Sequence, residues 1–149
     1  MTPDQMATLH AAAFLPERGW TAEEFRSLTM SKLVSCHTQA HGFALVRTVL
    51  DETELLTLVV DPAYRRQGIA DILMRTWLES SEAVLALLEV AADNAPARAL
   101  YAKYGFAENG RRTGYYHRTN GPAVDAVLMQ AAVTRRQTAE SLYHRPKTG

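Results

Sequence analysis

The feature that most constrains the fold is a change of hydrophobic period after Asp61-Pro62. Before it, Glu54 to Val60 is a strand-like run of apolar and β-branched residues. After it, apolar residues recur at helical spacing and form one stripe: Ile69, Ile72, Leu73 and Trp77. The nearly continuous apolar run from Val84 to Val90 predicts a second strand. A strand, a helix and a strand in this order predict a right-handed crossover.

Capping residues and short apolar runs mark the elements on either side of this unit. Thr2-Pro3-Asp4-Gln5 predicts a helix that runs to about Phe14, and Thr21-Ala22-Glu23-Glu24 predicts a second one. Asn94 and Gly105 predict the start and the end of a later helix. The other strand-like runs are Leu33 to His37, Phe43 to Val49, Phe106 to Asn109, Gly114 to His117 and Val124 to Gln130. These patterns predict an α/β fold whose mixed central sheet has an antiparallel meander, a β-α-β-α crossover and a closing hairpin, with flanking helices.

Length and composition predict one domain. The 149 residues are enough for one substantial hydrophobic core, and a second domain is not expected. Hydrophobic residues make up 47% and charged residues 21%, which is typical of a globular protein. We predict a single domain over residues 1–130 and expect the polar residues 131–149 to form a short helix and a frayed tail.

Charge and residue usage argue against several classes of function. Sixteen Lys and Arg balance sixteen Asp and Glu, so the basic excess of a nucleic-acid-binding protein is missing. The longest apolar runs are far shorter than the ~20 residues that a membrane span needs. Cys36 is the single cysteine, no secretory signal opens the chain, and the five histidines have no metal-ligand spacing. We therefore expect a cytoplasmic protein without a metal site, a nucleic-acid partner or a membrane contact.

The segment Arg65-Arg66-Gln67-Gly68-Ile69-Ala70 joins the strand that ends near Val60 to the helix that follows. Unpaired backbone N–H groups and a partial positive charge at a helix N-terminus favour a diphosphate. Gly68 and Ala70 would let phosphates approach the backbone, and the guanidinium groups of Arg65 and Arg66 would add charge-assisted hydrogen bonds. From the residues alone an ordinary turn is the alternative. The glycine patterns of dinucleotide-binding and P-loop sites are absent.

Two side chains with useful chemistry follow this loop. Glu89 lies in an otherwise apolar strand, at the carboxyl end where open α/β sheets bind ligands. A partly buried carboxylate there suits a general base, and a solvated strand end is the alternative. Tyr101 shares a helix face with Ala97 and Tyr104, so the residues alone favour a core position over a catalytic one.

Two of these segments resemble hallmarks of the GNAT acetyltransferases. The loop from Arg65 to Ala70 is similar to the acetyl-CoA loop of that family, and Asn94, Leu100-Tyr101 and Gly105-Phe106 resemble its second motif. The resemblance implies a GNAT fold, acetyl-CoA as co-substrate and a tyrosine, Tyr101, that faces the CoA sulfur. It also implies that strand backbone holds the pantetheine arm and that loop amides hold the pyrophosphate. The implied acetyl-CoA contacts are Leu58, Val59, Val60, Arg65, Arg66, Gln67, Gly68, Ile69, Ala70, Asp71 and Asn94.

Within that family, residues from about Glu54 to Met129 are similar to the ribosomal-protein alanine acetyltransferases of the RimI type. The similarity includes Leu88-Glu89-Val90, the second motif and Tyr115-Tyr116. It implies that Glu89 accepts the proton of an attacking amine and that Tyr101 donates one to the leaving thiolate. The implied acceptor is the N-terminal alanine of a ribosomal protein. An acetyltransferase for a small-molecule amine and a CoA-binding module without turnover are the alternatives.

Four departures from the family pattern bear on these expectations. Asp71 stands where several members have a basic residue, and an acid beside a diphosphate weakens binding unless its side chain points away. Ala91 replaces an arginine and Val124 replaces an acid that the subgroup often carries. A family strand that would precede the first predicted helix is missing.

The implied proton transfers are chemically feasible. An N-terminal amine has a pKa of about 7.7 to 8.0, so a modest base suffices. Proton transfer from a tyrosine of pKa ~10 to a thiolate of pKa ~8.5 is uphill by about 1.5 units, or ~2 kcal/mol. On the closing strands, Arg111, Arg112, His117 and Arg118 form either a solvated face or a patch that steers an acidic substrate. We expect one of Tyr115 and Tyr116 to lie in the core and the other near the acceptor.

Overall fold

A computed structural model of the chain describes residues 1–14 and 19–133. The predicted tail over residues 131–149 falls almost entirely outside the described residues. The helices are α1 (Pro3–Ala13), α2 (Ala22–Met30), a 3-10 turn (Pro62–Tyr64), α3 (Ile69–Ser80) and α4 (Ala95–Lys103). The strands are β1 (Val34–Gln39), β2 (Gly42–Val49), β3 (Glu52–Val60), β4 (Leu85–Ala91), β5 (Ala107–Arg118) and β6 (Gly121–Ala132).

The described strands form one mixed sheet in the order β1-β2-β3-β4-β6-β5. β3 and β4 are parallel neighbours joined through α3, and every other pair is antiparallel. The predicted α/β fold, with its meander, crossover and closing hairpin, is confirmed. Both N-terminal capping boxes form as predicted, since Thr2 pairs with Gln5 and Thr21 with Glu24. Helix α1 begins at Pro3, and no strand lies among residues 1–14 and 19–33.

The closing strands differ from the prediction. Phe106 to Asn109 and Gly114 to His117 were expected as separate strands, but β5 runs without interruption from Ala107 to Arg118. The register of β5 with β6 shifts at three places. The residues between the two expected strands therefore remain part of β5 as irregular positions and do not form a turn. Gly114 has a φ of +61°, and its N–H donates to the Asp125 carboxylate at 2.9 Å. β6 continues to Ala132, and Val133 is buried.

A hydrophobic core lies on each face of the sheet. On one face, α3 and α4 cover β2, β3, β4 and β6, with Leu73, Trp77 and Val127 at the centre. On the other face, α1 and α2 place Met6 and Phe25 against Phe43 of β2. Inside the first core, the Trp77 indole donates to the Thr53 hydroxyl at 2.9 Å, and Thr53 is fully buried. This bond ties the C-terminal half of α3 to the start of β3.

We expect Thr53→Val to lower the free energy of unfolding by about 1 to 3 kcal/mol, because the isosteric valine leaves the buried indole N–H without an acceptor. Urea denaturation monitored by circular dichroism measures the change. The matched substitution Thr38→Val, on the exposed edge strand β1, should stay within about 0.5 kcal/mol of the wild type. Equal effects of the two substitutions would contradict a stabilising role for the buried bond.

Candidate active site

Strands β3 and β4 separate soon after they begin to pair. Their parallel ladder covers only Glu52–Glu54 and Leu85–Leu87. Beyond it, β3 continues to Val60 paired with β2 alone, and β4 continues to Ala91 paired with β6 alone. Among the described strands, the backbone edge of β3 from Leu55 to Val60 that faces away from β2 therefore has no partner, and a wedge opens between β3 and β4.

A β-bulge in β3 lies where the wedge begins. Leu45 pairs with Thr57 and Val46 pairs with Leu55, so Leu56 is an extra residue without a partner on β2. As a result Leu55 and Leu58, three residues apart, both pack on the α3 side of the sheet, whereas a regular strand would put them on opposite faces. A bulge bends its strand and increases the local twist, which turns the end of β3 away from β4.

The wedge widens into a cleft of about 620 Å³ between β3, the start of α3 and the start of α4. All of the predicted acetyl-CoA contacts line this cleft except Gln67. Sequence reasoning missed several other lining residues, contributed by the end of α1, the 3-10 turn and α4: Ala13, Phe14, Tyr64, Pro96, Ala97 and Leu100. These residues carry no polar motif, and only the folded chain brings them to the cleft.

The predicted phosphate loop forms one wall of the cleft. Arg66 and Gly68 both have a left-handed backbone, with φ of +66° and +81°. Gly68 is the N-cap of α3 and provides no side-chain cap, so the N–H groups of the first helical turn have no partner there. A Cβ at Gly68 would meet no atom within 4 Å, which means that the backbone angle, rather than space, favours glycine. Exposed N–H groups at a helix start are the donors that hold a diphosphate.

The two arginines of the loop have different surroundings. An Nη2 proton of Arg65 is donated to the Ala13 carbonyl at 3.2 Å, which ties the loop to the end of α1. Arg66 has no hydrogen-bond partner among residues 1–14 and 19–133. Both side chains are exposed and line the cleft, but that of Arg65 already donates to Ala13, so Arg66 is the better placed of the two to meet an anion.

The carboxylate of Asp71 is neutralised by residues of α4. The Tyr104 hydroxyl donates to its Oδ1 at 2.8 Å, and the Lys103 ammonium lies 2.5 Å from the same oxygen. These two hydrogen bonds lower the pKa of Asp71. The acid that replaces a basic residue of the family pattern is therefore paired rather than left as a free negative charge at the start of α3.

Asn94 serves as a helix cap at the other wall of the cleft. Its Oδ1 accepts the N–H of Ala97 at 3.2 Å, which fixes the first turn of α4. Its side-chain NH2 group has no acceptor within the described residues, so those N–H groups remain for a ligand in the cleft.

Glu89 lies near the carboxyl end of β4, on the face opposite α3 and α4. Leu88 and Val90 belong to the core on the helical side, and strand alternation puts Glu89 on the other face. Its side chain is 26% exposed, and its Oε1 accepts a hydrogen bond from Nε of Arg112 at 2.7 Å. The Glu89 carboxylate raises the pKa of the Arg112 guanidinium. Sequence reasoning did not find this pairing.

Tyr101 approaches the same region from the helical side. It is 8% exposed, packs edge-on against Phe106 and does not itself line the cleft. Burial, together with the nearby Tyr116, raises the pKa of Tyr101 to about 12. Tyr116 is half-buried and also feels the charge of Glu89, while Tyr115 is exposed. Neither tyrosine lies in the core, so the prediction of one core tyrosine was wrong: on the long β5 strand both lie outside the two cores.

Comparison with known proteins decides the family. The acetyltransferase (GNAT) family model matches residues 8–106. The ribosomal protein bS18-alanine N-acetyltransferase of Escherichia coli K12 is 34% identical over 140 residues, which is 89% of this chain and 94% of that protein. The chain belongs to the GNAT acetyltransferase family. It is an acetyl-CoA-dependent N-acetyltransferase, as the resemblance of its sequence motifs to that family implied.

Solved structures agree with this assignment. The crystal structure of the Escherichia coli ribosomal-protein-S18-alanine N-acetyltransferase superposes with a TM-score of 0.76 at 31% identity, covering 89% of this chain and 90% of that one. Ard1 from Thermoplasma volcanium gives a TM-score of 0.73 at 25% identity, covering 89% and 94%. In the described residues of this GNAT domain, no group of three or more His, Cys, Asp and Glu is arranged to hold a metal ion. None of its described helices combines the length and apolar character needed to span a bilayer.

We expect Arg66→Ala to weaken CoA binding by about tenfold, since a charge-assisted hydrogen bond to a phosphate is lost. Isothermal titration with CoA measures the dissociation constant. Arg26→Ala, at an exposed position on α2, is the matched control and should bind CoA as the wild type does. Equal dissociation constants for Arg66→Ala and the wild type would contradict a contact between this side chain and a phosphate of CoA.

Proposed function

We propose that the chain transfers the acetyl group of acetyl-CoA to the N-terminal alanine of a ribosomal protein. The observation that carries this proposal is the similarity to the bS18-alanine acetyltransferase of Escherichia coli, which covers 89% of this chain and 94% of that protein. Since the acceptor is ribosomal, the proposal also places the reaction in the cytoplasm.

The hydrogen-bonding groups that line the cleft suit acetyl-CoA. The free backbone edge of Leu58 to Val60 offers N–H and C=O groups to the amides of a pantetheine arm. The N–H groups from Arg66 to Asp71, with the Arg66 guanidinium, suit a pyrophosphate, and the side-chain amide of Asn94 faces the same cleft. When bound, acetyl-CoA supplies a thioester whose carbonyl carbon is open to attack by an amine.

Glu89 and Tyr101 are the proposed proton acceptor and donor. They reach the end of β4 from opposite faces of the sheet, and the wedge beside β4 is the opening between those faces. Glu89 would take the proton of the acceptor amine as the amine attacks, directly or through a water molecule. Tyr101 would give its proton to the departing sulfur.

The burial of Tyr101 changes the energetics of the donor step. A pKa of about 12 keeps the phenol protonated throughout the physiological range. Full proton transfer to a thiolate of pKa ~8.5 is then uphill by about 3.5 units, or about 5 kcal/mol. The sequence alone predicted a cost of ~2 kcal/mol for this proton transfer, from the pKa of an ordinary tyrosine. That value was too small, because burial of the Tyr101 phenol raises its pKa. The larger cost is still below the ~8 to 23 kcal/mol by which enzymes lower barriers.

We expect Glu89→Gln and Tyr101→Phe each to lower kcat by roughly 10²-fold or more on an alanine-first peptide from the ribosomal acceptor, because each removes one proton-transfer group. Release of free thiol from acetyl-CoA measures the rate. Titration with CoA is the control. If both variants bind CoA as tightly as the wild type, the loss of rate comes from the chemical step and not from damage to the CoA-binding cleft.

The acceptor is tested in the same assay with a lysine peptide and a polyamine beside the alanine-first peptide. Selective turnover of the alanine-first peptide supports the proposal. Preference for the polyamine would replace it with a small-molecule acetyltransferase. CoA binding without turnover of any amine would instead favour a binding module.

A further inference from the structure

Arg112 reaches the candidate base across an intervening strand. In the sheet β6 lies between β4, which carries Glu89, and β5, which carries Arg112. Two inter-strand spacings amount to about 10 Å, so only a long side chain spans them. Arg112 is paired with Ala126 of β6 and Glu89 with Leu128, yet Nε of Arg112 is 2.7 Å from the Glu89 carboxylate.

The neighbouring arginine on β5 has different partners. Arg111 is the adjacent residue on the same strand and bonds locally, to Glu108 at 2.8 Å and to Asp125 at 3.5 Å. The Arg112 guanidinium also lies 5.6 Å from the Tyr115 ring centroid, which helps to hold the side chain in this direction. The Arg112 side chain is therefore held by two groups, the Tyr115 ring and the Glu89 carboxylate, which is the candidate base.

We propose that Arg112 is a positioning residue that holds the Glu89 carboxylate in place for proton transfer. This inference rests on the proposed function of Glu89. Arg112 occupies Oε1, while Oε2 has no partner among residues 1–14 and 19–133 and is left to accept a hydrogen bond from a water molecule or an acceptor amine. Fixing one oxygen restricts the carboxylate to few orientations, and orientation of a reacting group is worth a large part of catalysis.

The first test needs no turnover. Side-chain order of Glu89 is measured by NMR relaxation of its Cγ methylene group, assigned by the loss of its signal in Glu89→Gln. In the wild type we expect Glu89 to be more ordered than Glu79, an exposed glutamate on α3. In Arg112→Gln the order parameter of Glu89 should fall to about the value of Glu79, below ~0.6. An unchanged order parameter in Arg112→Gln would overturn the inference, whether or not the acceptor has been identified.

The second test is kinetic. With the best acceptor of the amine panel, Arg112→Gln should lower kcat about tenfold and leave KM for acetyl-CoA within about twofold, because the residue orients the base and lies outside the cleft. Arg112→Lys keeps the charge and most of the length, so it should recover activity to within about threefold of the wild type.

Arg111→Gln is the matched control and should match the wild type in both the relaxation and the kinetic measurement. A loss in Arg111→Gln equal to that in Arg112→Gln would assign the effect to the β5–β6 hairpin as a whole and overturn a specific role for Arg112. If the wild type acetylates no amine, the proposed function fails, and the relaxation measurement alone still decides whether Arg112 fixes Glu89.

Discussion

The structure depends on the early end of the parallel ladder between β3 and β4. Three residue pairs join the strands, and a bulge at Leu56 then turns β3 aside. This single departure from a regular sheet frees a backbone edge and opens a cleft. The crossover helix α3 starts at the same cleft, and the buried bond from Trp77 to Thr53 ties its C-terminal half to β3. A fully paired sheet would have no cleft here.

The charges around the cleft are arranged so that few of them are free. Asp71 is paired with Lys103 and Tyr104, Glu89 with Arg112, and Asp93 with Arg118. All three acids lie on α3, β4 or the turn after β4, while their partners come from α4, its C-cap Tyr104 or β5. Ion pairs as exposed as these contribute little to stability. Their consequence is geometric, because they fix acidic side chains at the end of β4 and at the start of α3. In contrast, Arg66 at the phosphate loop has no ion-pair partner in the part of the chain that the structure describes.

The sequence predicted the features that depend on neighbours along the chain. The change of period after Pro62 predicted α3, the capping boxes predicted α1 and α2, and Asn94 with Gly105 predicted α4. The family resemblance added the fold and the cofactor loop. Features that depend on distant pairing were not predictable. The bulge at Leu56, the continuous β5 and the reach of Arg112 to Glu89 follow from register between strands, which no local pattern records. The raised pKa of Tyr101 depends on its burial and on the nearby Tyr116, which also come from the folded chain.

A crystal structure of the chain with CoA tests the binding site most directly. We expect the pantetheine arm along Leu58 to Val60 and the pyrophosphate within hydrogen-bond distance of backbone N–H groups between Arg66 and Asp71. CoA in the other large groove, between α1 and the β1–β2 turn near Asp4 and Gln39, would contradict it. So would a complex in which β3 and β4 close into a continuous ladder beyond Glu54, because the wedge would then not be the binding site.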